Sequence, residues 1–327
     1  MAQYATLDRR AFLSRVGSVT LAAALLSTGD GEAAAGNRPP IGIQLFTLQG
    51  ELMRDFAGTL KTLRRIGYRQ VEPAGLLGRS PREFKDAVDA AGLTVPSAHI
   101  LSNAAQAAMV DMATGRLAPA DAWKKVGAAM NLANIDQIMA EVFEQQAVLG
   151  NEYLVLAEID FGLMRSPAGI DRLAQAFNRA GRLCHERGLR FAWHPHLAYG
   201  NVDGKSAFDR VMDATDPGKV LVELDFFWAA MSHADIPKLI QRHGARMRLG
   251  HVKDMAKSVV VPPGGFTDIN NLPDNIFADV GHGQIDYKVL IPLARKAGMR
   301  YFFVERDQAP HPIETARRSY SALRKLL

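Results

Sequence analysis

The sequence predicts an α/β protein with a single domain, a (β/α)8 TIM barrel, and three observations support this fold. Short apolar runs alternate with segments of helical periodicity. Glycine follows several helical segments, where a left-handed C-terminal cap is favoured. The segment Gln44–Leu48, after the first run, has no glycine-rich loop of the kind that a doubly wound sheet usually carries there. The eight predicted strands are Ile41–Phe46, Gln70–Glu72, Val95–Ile100, Tyr153–Ala157, Arg190–Trp193, Val220–Leu224, Met247–Val252 and Tyr301–Val304.

Helix boundaries between these runs are marked by local signals. Ser80-Pro81-Arg82-Glu83 is a capping box with proline at the first helical position. Ser166-Pro167 opens a second helix, which is expected to end near Gly188. The expected C-terminal caps are Gly67, Gly92, Gly188, Gly244 and Gly298. Eight strand-then-helix units close naturally into a barrel.

Two connections are longer than the rest. The connection 102–150 is long enough to hold additional helices. The connection 256–284 contains Pro262-Pro263-Gly264-Gly265, which disfavours regular structure. It follows the seventh strand on the catalytic face of a barrel, so we expect it to form a lid.

The first 35 residues have the composition of an export signal. Arg9 and Arg10 precede an apolar run of 11 residues, Val16–Leu26, and Ala33–Ala35 forms a small-residue cleavage site. A membrane-spanning helix needs about 20 residues, so no stable membrane anchor is expected. The paired arginines favour the twin-arginine route to the periplasm or cell exterior, with a Sec signal as the alternative. Residues 36–40 then form a tether, and residues 41–327 form the barrel.

Composition narrows the classes of function further. The formal net charge is +5, but lysine and arginine are scattered along the chain, which does not favour a nucleic-acid partner. Cys184 is the single cysteine, so an intramolecular disulfide is excluded. We expect Cys184 to be a buried, inert thiol on a helix.

Ionisable side chains collect where the predicted strands end, which is the catalytic face of this fold. They are Glu72, His99, Glu158, His194, His196, Asp225, His251, Lys253, Asp254 and Glu305. Of these, His194, Asp225, His251 and Glu305 follow the last four strands. Two imidazoles and two carboxylates would bind one divalent metal ion and leave positions open for substrate oxygens. The simpler alternatives are a core histidine, a helix cap at Asp225 and an ion pair between Glu305 and Arg306.

Several distinctive strings make the chain resemble the xylose-isomerase-like barrel superfamily of sugar isomerases and epimerases. They include IGIQLFTL, GYRQVEPAGLLGRS, VELDFFWAA, GHVKDM, GHGQIDY and FFVERD, in that order, and they cover nearly all of residues 41–327. The resemblance implies a metal-dependent isomerase or epimerase of the sugar phosphate isomerase/epimerase family. Because relatives in this family often dimerise, the resemblance also implies a homodimer as one alternative for the oligomeric state.

The resemblance assigns a metal site by position. The ligands of such epimerases are Glu, Asp, His and Glu, and the last three fall on Asp225, His251 and Glu305. The position of the first Glu is occupied by His194, which is a departure from the family. This departure argues against a symmetrical mechanism in which two glutamates act as bases. Trp228 is a second departure, where the family often has histidine. The implied cofactor is one divalent ion: Mn, Co, Zn or Mg.

These residues support one chemical step, the abstraction of a proton next to a carbonyl. Glu305 or His196 is the candidate base, and Lys253 would stabilise a developing oxyanion or protonate a leaving group. Glu72, His99 and Glu158 would bind substrate hydroxyls. Among the strand-end aromatic residues, Trp228 is the one expected to contact a sugar ring rather than to pack in the core.

Return of the proton gives isomerisation or epimerisation, and loss of a leaving group gives elimination, as in a 3-keto-glycoside lyase, hydrolase or dehydratase. Export and the lack of a phosphate-binding loop favour a neutral small-molecule carbohydrate over a sugar phosphate. A metal-dependent endonuclease and a non-catalytic sugar-binding barrel remain less favoured alternatives. The sequence does not distinguish which sugar or which metal is used.

Overall fold

The computed structural model describes residues 38–327 apart from 267, 268, 270, 271 and 274. The predicted export signal and the start of the tether therefore lie outside the described residues. Eight parallel strands form one sheet with the order β2-β1-β8-β7-β6-β5-β4-β3. They are β1 Ile41–Gln44, β2 Gln70–Glu72, β3 Ser97–His99, β4 Tyr153–Leu156, β5 Arg190–Trp193, β6 Val220–Asp225, β7 Met247–Val252 and β8 Tyr301–Val304.

The sheet closes into a barrel between β2 and β3. The backbone N–H of Val71 donates to the carbonyl of Thr94 (2.9 Å), and the N–H of Thr94 donates to Arg69 (3.0 Å). Thr94 thus continues the parallel pairing just before β3 begins. The predicted (β/α)8 barrel is confirmed, and all eight predicted strands lie at or within a few residues of the observed ones.

Twelve α-helices lie in the described part of the chain, and every one of them is too short or too polar to cross a bilayer. They are α1 Gln49–Arg54, α2 Phe56–Ile66, α3 Pro81–Ala90, α4 Asn103–Ala113, α5 Pro119–Ala129, α6 Ile135–Leu149, α7 Pro167–His185, α8 Ala207–Ala214, α9 Phe226–Met231, α10 Ile236–His243, α11 Tyr287–Ala297 and α12 Pro312–Leu323. The extra helices expected in 102–150 are α4 and α5. Cys184 is buried on α7, as expected.

The capping signals are largely confirmed. The Ser80 hydroxyl accepts from the Glu83 N–H, and the Glu83 carboxylate accepts from the Ser80 N–H (2.9 Å), which is the predicted capping box. Gly244 was expected to be a left-handed cap, and this expectation is wrong because its φ is −58°. A Cβ at this position would lie 2.6 Å from Cβ of Ala297. Gly244 is therefore required for close approach to the end of α11, not for its backbone freedom.

Side chains alternate between the two faces of each strand, and this alternation places the site. On β6, Leu221, Glu223 and Asp225 share one face, and Leu221 belongs to a buried apolar cluster with Leu249 of β7 and Phe303 of β8. Moving two residues along each strand replaces these apolar side chains with ionisable ones. The barrel interior is therefore apolar at one level and ionisable nearer the carboxyl ends of its strands.

The connection between β7 and α11 packs over the end of β6. Its described residues Ile276 and Phe277 are buried with Trp228 and Met255, and Phe266 packs against the same cluster. Among the residues of this connection that the structure describes, a two-residue pairing of Asp254–Met255 with Phe277–Ala278 forms regular strand structure. Part of the expected lid lies outside the described residues, so its movement stays a prediction.

Candidate active site

Asp225 has two separate roles at the junction of β6 and α9. Its Oδ1 accepts hydrogen bonds from the N–H groups of Phe227 (2.7 Å) and Trp228 (3.0 Å), which caps α9. Its Oδ2 is buried and has no hydrogen-bond partner among the described residues. That oxygen lies 3.7 Å from both Lys253 Nζ and His194 Nε2. The helix cap and the expected site residue are therefore the same side chain, used through different oxygens.

His251 lies at the centre of the ionisable cluster. Its Nδ1 is 2.8 Å from Glu305 Oε2, and its Nε2 is 2.6 Å from Glu72 Oε2. Donor atoms of Asp225, His251 and Glu305 all lie within 4.8 Å of one another. The structure thus brings together three of the four expected metal ligands.

His194, the fourth expected ligand, is oriented by Glu223. Its Nδ1 lies 3.0 Å from Glu223 Oε2, and because a carboxylate only accepts, Nδ1 is expected to carry the proton. Nε2 is then the nitrogen that faces Asp225. His99, His194, Glu223 and His251 form a second group with donor atoms within 4.8 Å of one another.

Sequence reasoning missed Glu223. The residue lies inside an apolar run, VLVELD, and the run was interpreted only as a buried strand. The signal that identifies Glu223 is its spacing of two residues from Asp225, which places both side chains on one face of the strand.

Lys253 is a buried ammonium group among three carboxylates. Its Nζ lies 2.8 Å from Glu305 Oε2, 3.0 Å from Asp307 Oδ2 and 3.7 Å from Asp225 Oδ2. Burial by itself lowers the pKa of Lys253, but Asp307, Glu305 and Asp225 outweigh this effect and raise the pKa above its usual range. Lys253 therefore stays charged. Asp307 was also missed by the sequence analysis, because it lies two residues beyond the last expected ligand.

Glu72 lies deeper than expected. It is fully buried, it accepts from Gln44 Nε2 (2.9 Å) and from the Ser97 hydroxyl, and it contacts His251. The structure places Glu72 in this inner network and not on the cavity wall, where contact with substrate hydroxyls was expected. Its position is that of a group that orients His251.

A cavity of about 100 Å³ opens above the cluster. The sequence-predicted residues that line it are His99, Glu158, His194, His196, Trp228 and Glu305. The other lining residues are Gln44, Phe46, Ala74, Leu101, Met109, Trp123, Ala157, Ile269 and Asp307.

Glu158 and Glu305 both line this cavity, but their surroundings separate their pKa values. Burial raises the pKa of Glu158 to about 7, with Asp307 and Glu305 adding to the effect and His99 opposing it. Burial also acts to raise the pKa of Glu305, but Lys253 and His251 outweigh it and hold that pKa well below its usual range. Near neutral pH, Glu305 is ionised and Glu158 is close to half-protonated.

His196 lines the cavity between aromatic rings. Its ring lies edge-on to Trp228, with centroids 5.1 Å apart, and to His194 at 4.7 Å. Burial and the charge of Lys253 lower the pKa of His196 to about 3. A histidine with this pKa is a weak base, which reduces its suitability for the role expected from the sequence.

Two further strand-end residues have structural contacts. Asp254 accepts from the N–H groups of Gly281 (2.9 Å) and Gly283 (3.0 Å), so it shapes the loop before α11. Arg306 does not pair with Glu305, as the alternative interpretation proposed, but with Asp279 (2.5 Å). Glu305 therefore pairs with His251 and Lys253 instead.

The fold agrees with comparisons to known proteins. The chain belongs to the xylose isomerase-like TIM barrel family, whose model matches residues 60–326. It is 29% identical over 161 residues to the inosose dehydratase of Geobacillus thermodenitrificans, a match that covers 47% of this chain and 54% of the relative. The chain therefore spans about half the length of the curated relatives it matches.

Solved structures extend the likeness over the barrel. A sugar phosphate isomerase/epimerase from Parabacteroides distasonis superposes with a TM-score of 0.65 at 20% identity, covering 91% of this chain and 98% of that one. A D-allulose 3-epimerase from Methylomonas sp. gives 0.59 at 13% identity, covering 89% and 98%. At these identities the likeness concerns the fold.

The buried cluster predicts a pH dependence for the metal-free protein. Burial lowers the pKa of His99, but Glu72 and Glu223 outweigh it and raise the pKa from 6.5 to about 9. A raised histidine pKa stabilises the fold fully below about pH 6.5, and this stabilisation is lost as the pH rises towards about 9. Urea unfolding of chelator-treated protein across that range should show wild-type losing more free energy of unfolding than His99→Gln. Parallel curves for the two proteins would contradict the assignment.

Proposed function

We propose that this protein is a metal-dependent enzyme that removes a proton next to the carbonyl of a neutral keto-sugar or keto-glycoside. The observation that carries the proposal is the convergence of Asp225, His251 and Glu305 beside the buried Lys253, at the base of a cavity lined by ionisable groups. Each of these side chains comes from the carboxyl end of a barrel strand, where this fold carries its chemistry.

The residues fit one divalent metal ion: Mn²⁺, Co²⁺, Zn²⁺ or Mg²⁺. Asp225 Oδ2 is a buried carboxylate oxygen without a hydrogen-bond partner in the described part of the protein, which is the state expected of an oxygen reserved for a cation. Asp225, His251 and Glu305 would hold the ion, with His194 Nε2 as the fourth donor. Carboxylate and imidazole donors suit hard-to-borderline divalent ions. A bound ion supplies Lewis-acid polarisation of the substrate carbonyl.

Both histidines in this set have a carboxylate on the ring nitrogen that faces away from the site. Glu223 contacts Nδ1 of His194, and Glu72 contacts Nε2 of His251. Such contacts fix the tautomer and the ring orientation of a metal-binding histidine. They support the proposal because they leave Nε2 of His194 directed towards Asp225 and Nδ1 of His251 directed towards Glu305.

Glu158 is the best-placed group for proton transfer. It lines the cavity, and its pKa of about 7 lets it accept and return a proton near neutral pH. Glu305, the base favoured by the sequence, is held ionised by Lys253 and His251 and is more suited to binding the cation. Lys253 does not line the cavity, so its fixed positive charge would act on a substrate oxygen from behind Glu305 and Asp307 and not by contact.

The cavity walls favour a neutral substrate. The lining contains the carboxylates of Glu158, Glu305 and Asp307, and among its described residues there is no lysine or arginine. A phosphate dianion would lie beside the ionised Glu305 and would have no cationic side chain of this lining as a partner. This charge pattern supports a neutral sugar over a sugar phosphate.

Two outcomes share the proton-abstraction step. If the proton returns, the enzyme is an isomerase or epimerase. If a leaving group departs instead, the enzyme is a carbon–oxygen lyase: the C2–H bond of a 3-keto-glycoside breaks, C1=C2 forms, and the C1–O bond breaks to release the aglycone as an alcohol. The similarity to inosose dehydratases and the presence of His194 in place of the family glutamate favour this second candidate.

We further propose that the protein acts after export, because residues 1–35 have the features of a twin-arginine signal. Folding before transport would suit a protein that must load a metal ion. A neutral carbohydrate is also the substrate class expected outside the cytosol.

The function is tested by NMR of the Mn²⁺- or Co²⁺-treated protein in D₂O with neutral ketoses and 3-keto-glycosides. We expect deuterium at the carbon next to the carbonyl, or release of the aglycone with an unsaturated sugar. Glu158→Gln should slow this step by about 10²-fold or more, because a general base contributes about 10²–10⁴-fold.

Glu144→Gln, an exposed substitution of the same kind on α6, is the matched control and should leave the rate unchanged. A metal-loaded wild-type protein that gives neither deuterium incorporation nor elimination with any of these substrates would contradict the proposed function.

Asp225 variants separate the two roles of its carboxylate. Asp225→Asn and Asp225→Ala should both lose stoichiometric metal, measured by elemental analysis after dialysis. In metal-free protein, the free energy of unfolding of Asp225→Ala should be about 1 kcal/mol lower than that of Asp225→Asn, because asparagine can still cap α9. Asp235→Asn, at the exposed cap of α10, is the control and should keep its metal. Full metal content in either Asp225 variant would rule out a metal site in which Asp225 is a ligand.

A further inference from the structure

The cavity is lined by ionisable residues and by a group of apolar residues. The proposed chemistry uses ionisable residues of this lining, among them Glu158 and Glu305. Five of the apolar residues, which we call the apolar wall, have no role in it: Phe46, Ala74, Leu101, Met109 and Trp123.

The apolar wall lies in one sector of the barrel. It comes from the segments that follow β1, β2 and β3, three strands that are neighbours in the closed sheet. The strands on either side of this sector, β8 and β4, carry the ionisable residues Glu305 and Glu158 just beyond their ends. Gln44 and His99, at the ends of β1 and β3, also line the cavity in this sector.

Two residues of the apolar wall come from the additional helices α4 and α5. The helix of this unit that packs between α3 and α7 in the outer ring is α6, so α4 and α5 are not needed to complete the ring. Met109 of α4 is buried, and Trp123 of α5 is partly exposed and lies 6.3 Å from the Phe46 ring, centroid to centroid. The additional helices thus bring a large aromatic side chain to the cavity.

A free sugar does not match this arrangement. Its hydroxyl groups are distributed around the whole ring, and those placed against the apolar wall would lose their hydrogen bonds to water without gaining partners. Trp228, which lies next to His196 in the cavity lining, would be the aromatic partner of an apolar face of the sugar ring. A sugar with a large apolar substituent would contact the apolar wall through that substituent and the ionisable residues through its ring.

We propose that the apolar wall is an aglycone subsite, and that the natural substrate is a glycoside with an aromatic or other apolar aglycone. The placement of the sugar half rests on the proposed function.

Binding of unreactive glycosides tests the subsite without relying on catalysis. Calorimetry of the metal-loaded protein would compare phenyl and methyl glycosides of glucose, galactose and mannose. For at least one sugar, the phenyl glycoside should bind about tenfold or more tightly than the methyl glycoside, since even one methylene in an apolar pocket is worth about 10–200-fold. Trp123→Ala should remove this preference and leave the affinity for the methyl glycoside unchanged.

Two further variants control for misfolding. Trp123→Phe should keep most of the phenyl preference, because it keeps an aromatic ring in the wall. Lys124→Ala, exposed on the same helix, should keep all of it. Equal affinities within every pair, no binding of any pair, or a phenyl preference that survives Trp123→Ala would overturn the proposal. A phenyl preference without proton abstraction would support the subsite and refute the proposed function. Proton abstraction without a phenyl preference would support the proposed function and refute the subsite.

Discussion

The candidate site depends on how the barrel keeps many ionisable groups buried at the carboxyl ends of its strands. An isolated buried charge is strongly unfavourable, and charged groups persist there only when they are paired. Here His251 contacts Glu72 through one ring nitrogen and Glu305 through the other, and Lys253 contacts Glu305 and Asp307. Removing one member would leave another buried charge without its partner. The cluster therefore acts as a unit, and its net negative character is what makes a divalent cation the expected ligand.

The same network separates the chemical roles of its carboxylates. Glu305 is surrounded by positive charge and stays ionised, whereas Glu158, on the same cavity but with less compensation, titrates near neutral pH. Neighbouring titratable groups whose environments push their pKa values apart are a common basis for acid–base catalysis. The barrel achieves this with side chains of one chemical type, because each strand end has different neighbours. Function thus follows from the position of each carboxylate more than from its identity.

Much of the fold and part of the site could be predicted from the sequence, for a physical reason. Barrel strands are short, apolar and followed by loops, so both the strands and the residues just beyond them can be located. Residues within a strand or far from one are harder to identify. Glu223 is hidden in an apolar run, Glu72 ends its strand but points into an inner network, and Trp123 reaches the cavity from an additional helix. Gly244 is a further example of a residue that the sequence does not explain. A side chain is excluded there because Ala297 lies close by, and this contact is visible only in the tertiary structure.

We infer that one cation binds at the ends of β6, β7 and β8. Anomalous diffraction from crystals grown with Mn²⁺ or Co²⁺ would locate this cation. We expect one strong peak per chain within bonding distance of Asp225, His251 and Glu305, with His194 as the additional protein donor. A peak held instead by His99, His194 and Glu223, or no peak at the end of the barrel, would contradict it.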